Sequence, residues 1–521
     1  MINKYFIKWN TNRINQFLIK FHIFCSLLEI IFFPSWETLY FICISIIGYF
    51  LLRKWIFTPY NLLNYTISTL AISFYVSFFF IMPIPATLLE LKPVTYNLHN
   101  PLNTFTQVLL LEIILIITHL IYTKITNRKN FIRNALIKCN FFAKFTSSEI
   151  WGLFLISFTI YTYNIFTRGL YDENSINTVS SLPLGIYMIN LLFGGFYQII
   201  FLFLFKQFNI IKQPYTIHKI TIFLFAVLLC IIGIATNMRT ASVLIFANIF
   251  FTFIVYIIYY PFNFKQLLKL KFLIPIIITI FFFFGPFMRI SKAMVTSRGE
   301  RDGLSGIEML EKTFNSIKNA NNKKEKQTKE YIVNWDEEYL SNSILNRFCS
   351  LKILDETLYH AKRIGYANKK MQKDLQEKII DNLPGVIKNN LEYQISKDSR
   401  RHSLTDKLYS LSINSKKNLG GIKIGTLQGL GLAIFGYYYP LIIIPIFIII
   451  FFCLDATVLY RKNRIYFSMW FFANILLCCY YFSDRHYYLY EFRFIMRTYL
   501  ENILFYIIAT NAIKKVPLIK H

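Results

Sequence analysis

Charge is what this sequence has least of. Only 16% of its 521 residues are charged, and the 28 acidic residues are half as many as the 56 basic ones. A soluble chain of this length presents a largely charged surface, so the shortage excludes an ordinary water-soluble enzyme. Cysteine pairing is missing too. None of the eight cysteines stands in a C-x-x-C pair, and most lie in apolar runs (Cys25, Cys43, Cys230, Cys453, Cys478, Cys479), which excludes a disulfide framework and a structural zinc site. Walker, H-E-x-x-H, nucleophile-elbow and EF-hand patterns are all absent. No small-residue cleavage site follows the first apolar run, so that run is read as a retained span.

What is abundant is apolar and aromatic: 55% hydrophobic and 18% aromatic residues. Runs of membrane-crossing length are expected at about 16–33, 39–52, 62–81, 105–122, 150–166, 184–205, 220–235, 241–259, 272–288, 430–454, 466–482 and 499–513. The fold class is therefore an all-α polytopic membrane protein of about twelve transmembrane helices. The net charge of +28 does not point to nucleic acid, because the short connections rich in Lys and Arg fall on one side of the expected membrane. Arg53 and Lys54, the stretch Lys124, Arg128, Lys129, Arg133, Lys138 and Lys144, and Arg461 to Arg464 mark the cytoplasm, with both termini on that side.

One polar stretch interrupts the apolar chain. Residues 289–424 divide transmembrane residues 1–288 (spans one to nine) from residues 425–521 (spans ten to twelve). Alternation puts this long loop on the outer, periplasmic side, together with Cys349, which is expected to react there with an impermeant thiol reagent. The loop is partly helical, a cap on the bundle. Ser305 to Glu308 fits a capping box ahead of Ile307, Leu310, Phe314 and Ile317. A second helix carries Phe348, Leu351, Leu354 and Leu358 and stops near Gly365; a third carries Met371, Leu375 and Ile379 and ends before Pro384.

The chemistry-bearing candidates are outer-side arginines. Arg239 lies in the turn between spans seven and eight, flanked by Thr236, Asn237, Thr240 and Ser242. Two readings stand: a snorkelling arginine, or an anion clamp whose planar fork suits phosphate oxygens. Arg289 ends the ninth span and either fixes that helix end or faces the same outer space. Asp398, Arg400, Arg401 and His402 form the densest polar cluster; it is a solvated face, or two arginines neutralise a diphosphate while His402, Glu392, Asp398 or Asp406 takes a proton. Arg485, His486, Arg493 and Arg497 follow on the last outer segment among tyrosines, a pattern that suits an interfacial belt or a sugar-phosphate ligand. Glu112, with His119 two turns further on, stands inside the fourth span and reads as a buried structural or proton-handling pair.

Three stretches resemble the O-antigen and exopolysaccharide repeat-unit polymerases, the Wzy-type membrane glycosyltransferases. They are Thr236-Asn237-Met238-Arg239-Thr240-Ala241, the single long outer loop after about nine spans, and Gly425-Thr426-Leu427-Gln428-Gly429 continuing to Gly436-Tyr437-Tyr438-Tyr439. Asn382-Leu383-Pro384 with Lys388 is a weaker likeness. The resemblance implies a metal-independent glycosyltransferase without cofactor in the inner membrane. It would join undecaprenyl-diphosphate-linked oligosaccharide repeats on the periplasmic face, with the lipid bilayer and a chain-length regulator protein as partners. Arg239, Arg400, Arg401, His402 and Asp398 would be catalytic, and Arg289, Arg485, His486, Arg493 and Arg497 would bind substrate. O-antigen ligases share the topology and the use of arginine. A lipid-linked oligosaccharide flippase is the reading from another class.

Overall fold

The computed structural model describes residues 4–126, 130–166, 196–204, 219–235, 239–260, 306–320, 335–342, 345–383, 402–415, 423–461, 464–479 and 492–515, with a few isolated positions between them. Its elements begin with α1 (Lys4–Phe32), α2 (Trp36–Leu51), α3 (Pro59–Asn64), α4 (Thr66–Val76), α5 (Pro83–Leu89) and α6 (Pro101–Thr126). Ser35 starts α2 by accepting from Thr38 N–H, and Thr58 starts α3 in the same way through Asn61 N–H. Among the described residues, four helical stretches are long and apolar enough to cross a membrane: Phe6–Phe32, Trp36–Ile56, Pro101–Thr126 and Leu427–Asp455. A fifth counts if Thr66–Ile81 and Pro83–Leu89, bent by 42°, form one span.

Aromatic and polar contacts set the directions of these helices. Phe41 packs on Phe105 with ring centroids 4.6 Å apart, and Tyr40 Oη meets Thr106 Oγ1 at 2.8 Å, so α2 starts where α6 starts. Tyr75 of α4 donates to Val108 O at 2.8 Å, and Tyr65, just before α4, donates to Thr123 O at 3.2 Å, so α4 runs against α6. Downstream, α15 (Leu427–Phe435) passes through the turn Gly436–Tyr438 into α16 (Tyr439–Asp455), which runs along α6: Tyr439 Oη donates to Gln107 at 3.2 Å and Phe451 packs on Tyr122 at 5.8 Å.

The third predicted span is broken at Tyr65 for an identifiable reason. Asp455, 1% exposed at the end of α16, accepts Ile67 N–H at 2.7 Å, Ser68 N–H at 3.1 Å and Ser68 Oγ at 2.6 Å. It thereby caps the start of α4 from a distant part of the chain. Arg133, in α7 (Phe131–Lys138), donates to Asp455 O at 2.7 Å. Arg53, Lys54, Lys124, Arg133 and Arg461 thus gather at one end of the bundle, the basic end.

The opposite end carries the cap. The long polar stretch forms α11 (Gly306–Ala320), which packs on helices of the bundle, and the cap helices α12 (Leu351–Ile364), α13 (Lys369–Asn382) and α14 (Leu404–Ser412), which α15 joins. The first three match the apolar spacing of the sequence; α12 stops at Gly365, whose φ of +84° suits glycine. The fourth, α14, opens with a capping box between Ser403 and Asp406. The fifth lies within the apolar stretch expected as the tenth span, which is long enough to cross a membrane as Leu427–Asp455. Leu427–Phe435 is separated from α16 by the turn at Gly436, φ +61°, and packs on α12. The turn after α12 caps its last carbonyls: Ala367 N–H donates to Leu432 O at 3.1 Å and Asn368 N–H to Ala433 O at 2.8 Å. Gly429 lies against Thr357 of α12 with no room for a Cβ.

The remaining spans are realised unevenly. The fifth is α8 (Ser147–Phe166), and the seventh and eighth are α9 (Lys219–Ala235) and α10 (Arg239–Tyr259). The described part of the sixth is a 3₁₀ turn, Phe196–Leu204, and the ninth lies almost wholly outside the described residues. The eleventh differs from expectation. Val458–Arg461 (β1) and Arg464–Phe467 (β2) form an antiparallel hairpin, followed by short helices α17 (Met469–Ala473) and α18 (Ile475–Cys479). The last described helix is α19 (Tyr499–Lys515), after the π-helical turn Phe494–Thr498.

Asp455→Ala removes an acceptor shared by three donors and strands two helix-start N–H groups. Destabilisation on the order of 3 kcal/mol is expected. Thermal unfolding of the detergent-solubilised protein measures it, and an unchanged midpoint would show that the cap on α4 is dispensable.

Candidate functional site at the junction of cap and bundle

Helix α12 is buried on both faces from Leu351 to Ala361, although one of them is charged. Leu351, Leu354 and Leu358 fill the apolar face at 0–3% exposure, each worth about 1.5–3 kcal/mol when buried. Lys352, Asp355, Glu356 and His360 form the other face, and all four are also buried. Burying such groups requires partners, and the fold supplies them. Lys352 Nζ lies 3.0 Å from Glu356 Oε2 and 3.7 Å from Asp355 Oδ2. Glu356 Oε2 also meets His99 Nε2 at 3.0 Å, while Oε1 meets His360 Nε2 at 3.2 Å and accepts Asp336 N–H at 3.3 Å. His360 Nδ1 pairs with Ser412 Oγ at 2.5 Å.

Asp355 joins this stripe to the membrane helices. It accepts His99 N–H at 2.6 Å, Asn100 N–H at 2.9 Å and Thr104 Oγ1 at 3.0 Å, all at the start of α6. A carboxylate there satisfies orphan donors and lies at the positive end of the helix dipole. Glu90 makes a second joint, accepting Ser341 N–H at 2.9 Å and Asn342 N–H at 2.7 Å from the cap. Burial opposes its charge, but Lys92, Ser341 and Asn342 hold its carboxyl down to about 2. Cys349 lies in this junction at 1% exposure, its thiol on Met82 O at 3.8 Å. Burial raises that thiol far above its ordinary range, so it is closed to the reagent that the sequence suggested would reach it.

His99, Asp355 and Glu356 place one ligand atom each within 4.8 Å of one another, a spacing that a metal could use. The donor set does not fit a free metal site. Both Asp355 oxygens are engaged by N–H and O–H donors, and the Lys352 ammonium already lies against both carboxylates. Aromatic rings close the cluster: Trp335 stacks on His360 at 5.2 Å, and Tyr359 on His99 at 4.3 Å.

The predicted site residues separate. His402 is buried, and its Nε2 meets Asp374 Oδ1 of α13 at 3.0 Å; its Nδ1 has no partner among the described residues. Its carbonyl accepts Lys378 Nζ at 2.6 Å, and Lys378 lies 4.0 Å from Asp374. Burial lowers the Lys378 ammonium below its ordinary value despite Asp374, Asp381 and Asp406. The carboxylate beside His402 is therefore Asp374, not Asp406, which is committed to Ser403 and to Lys423 N–H at 3.0 Å. Arg239 is the first residue of α10. That helix runs to Tyr259, which donates to Leu62 O at 2.7 Å toward the basic end, so Arg239 lies toward the cap end, where α9 packs on α11. Arg239's side chain, and Asp398, Arg400, Arg401, Arg485 and His486, lie outside the described residues.

Arg289 is exposed, with its N–H 3.4 Å from Gly285 O. Arg493 is exposed as well. Arg497 pairs with Glu501 at 2.6 Å. It stands two residues from Tyr499, which donates to Cys453 O at 2.9 Å, so Arg497 lies at the basic end and not beside the cap. Comparison with known protein families, with curated proteins and with solved structures finds no match.

The linkage of Glu356 to pH has a definite sign. Burial alone would raise its carboxyl, but His360, Lys352 and the Asp336 N–H hold it down to about 2 from an ordinary 4.5. A depressed carboxyl contributes stability that is complete above the unfolded value and fades as pH falls toward the folded one. Cap docking should therefore weaken between about pH 4.5 and about 2. Limited proteolysis of the cap across that window measures it. Glu356→Gln should be cleaved faster at neutral pH and keep only the part of the pH dependence that Glu90 supplies; a wild-type profile that is flat there would count against the joint.

Proposed function

We propose that the protein is a glycan polymerase of the inner membrane, joining oligosaccharide repeats carried on undecaprenyl diphosphate. In this reading the cap is periplasmic, and the basic end and the N-terminus are cytoplasmic. The observation that carries it is one of place. A folded cap is fixed to the end of the bundle opposite the basic connections, and α10 begins with Arg239 toward that same end. The buried His402–Asp374 pair belongs to the cap.

The chemistry follows from those groups. A hydroxyl of the acceptor glycan attacks the anomeric carbon of the donor, and the lipid diphosphate leaves. His402 takes the hydroxyl proton, with Asp374 fixing its ring. Arg239 meets the charge that grows on the diphosphate, which stabilises the transition state more than the ground state. A flippase reading is less favoured, because the cap is tied to α6 by Asp355 and to the connection before α6 by Glu90, across the end through which cargo would leave.

Two experiments test the reading. In a variant whose only cysteine is the exposed Cys139, an impermeant thiol reagent should label the protein in opened vesicles and not in intact spheroplasts. Labelling of intact spheroplasts would reverse the orientation and remove the outer-face chemistry. In a deletion strain complemented at matched membrane abundance, Arg239→Ala should slow polymerisation about a hundredfold, the usual cost of one transition-state donor. Arg239→Lys should also be impaired, since it keeps the charge but not the fork. Single capped repeats in the deletion strain fit a polymerase, bare core means a ligase, and accumulated cytoplasmic lipid-linked repeats mean a flippase.

A further inference from the structure

The interior of the bundle holds a group that the glycan-transfer reading does not use. Glu112 lies in the middle of α6 at 0% exposure, and neither carboxyl oxygen has a hydrogen-bond partner among the described residues. Its surroundings are shaped for it. Gly48 of α2 faces it, and a Cβ at that position would lie 2.5 Å from Glu112 Oε2 and 2.9 Å from the Phe80 ring. Phe80 belongs to the π-helical turn Ser77–Ile81, where the α4 helix carries a wider turn before the bend into α5. π-Helical turns inside membrane-crossing helices recur at functional positions. From α4, Tyr75 interacts electrostatically with Glu112, but its hydroxyl hydrogen is given to Val108 O and its oxygen accepts Gln428 Nε2 at 3.3 Å. From α2, Ser45, nearly one turn before Gly48, is engaged by His22 at 2.8 Å.

Two other buried acids among the described residues of the bundle do have donors. Asp455 is held by three, and Glu29 accepts Val94 N–H at 2.7 Å through Oε1, while its Oε2 has no partner there. An ionised carboxylate with no donor, enclosed by Phe80 and the Gly48 backbone, is strongly disfavoured, whereas a neutral carboxylic acid is tolerated there. Ionisation requires water or another donor to reach the oxygens, which means moving α2 away from α6 or rearranging the π turn. Protonation of Glu112 and the packing of these helices are then two sides of one equilibrium.

We propose that Glu112 is a proton-binding site built into the bundle, filled from and emptied to the aqueous phase as α2, α4 and α6 shift against one another. In the filling step hydronium gives its proton to a carboxylate oxygen, leaving a neutral acid and one water molecule; the emptying step is the reverse. No other reactant is needed, and the site stands whether or not the protein transfers glycan.

Infrared spectroscopy of the protein in lipid bilayers reads the site directly. The wild type should show a protonated-carboxyl C=O band that Glu112→Gln lacks, and raising the pH should replace that band with carboxylate absorption. A band left unchanged in Glu112→Gln belongs to another acid and overturns the proposal. So does a Glu112 band that stays constant at every pH at which the protein remains folded, because it would mark a fixed structural acid. Should Glu112→Gln fail to fold, Gly48→Ala gives the same decision: its methyl presses on Oε2 and should move the band, and an unmoved band assigns it elsewhere.

Discussion

The structure depends on the need to pair the charges that α12 buries. A helix with Lys352, Asp355, Glu356 and His360 enclosed on one side cannot sit against apolar neighbours. It settles where acceptors find donors, and the start of α6 is such a place, because the first turns of a helix expose N–H groups that nothing within the helix can satisfy. Asp355 and α6 therefore determine each other's positions. Glu356 then gathers His99 from the bundle and His360 and Asp336 from the cap around one carboxylate. Hydrophobic contact alone would let the cap slide; hydrogen bonds of fixed length and direction do not.

What was legible in the sequence rests on composition and on period. Long apolar runs announced α1, α2, α6 and most of α16, and apolar spacing announced α11, α12 and α13. What stayed hidden depends on contacts between distant residues. Nothing near Thr66 says that its helix will be capped by Asp455. The glycine-rich entry to the tenth span reads as a membrane helix because Leu427–Phe435 is as apolar as one; its assignment to the cap depends on Gly436 and on donors from Ala367 and Asn368.

The candidate site was legible only in part, for a similar reason. His402 stood out by its charged neighbours in sequence, yet its partner in space is Asp374, on a helix noticed only for its apolar face. Lys352, Asp355, Glu356 and His360 were not singled out, because polar residues opposite an apolar helix face resemble a solvated surface until a second element covers them. Arg497 shows the opposite case. Its place among tyrosines and charges suggested a ligand, whereas Glu501 one turn away engages its guanidinium at the other end of the bundle.

The three-residue turn at Gly436–Tyr438 has a mechanical consequence. Helix α15 is clamped in the cap by the turn after α12, and α16 is clamped at its far end to the start of α4 by Asp455. Between these clamps the chain has almost no slack, so a tilt of the cap is not absorbed locally. It becomes a pull along α16, delivered at the opposite end of the bundle to the first turn of α4. The two faces of the protein are thus linked through α16, and its joint to the cap is a glycine.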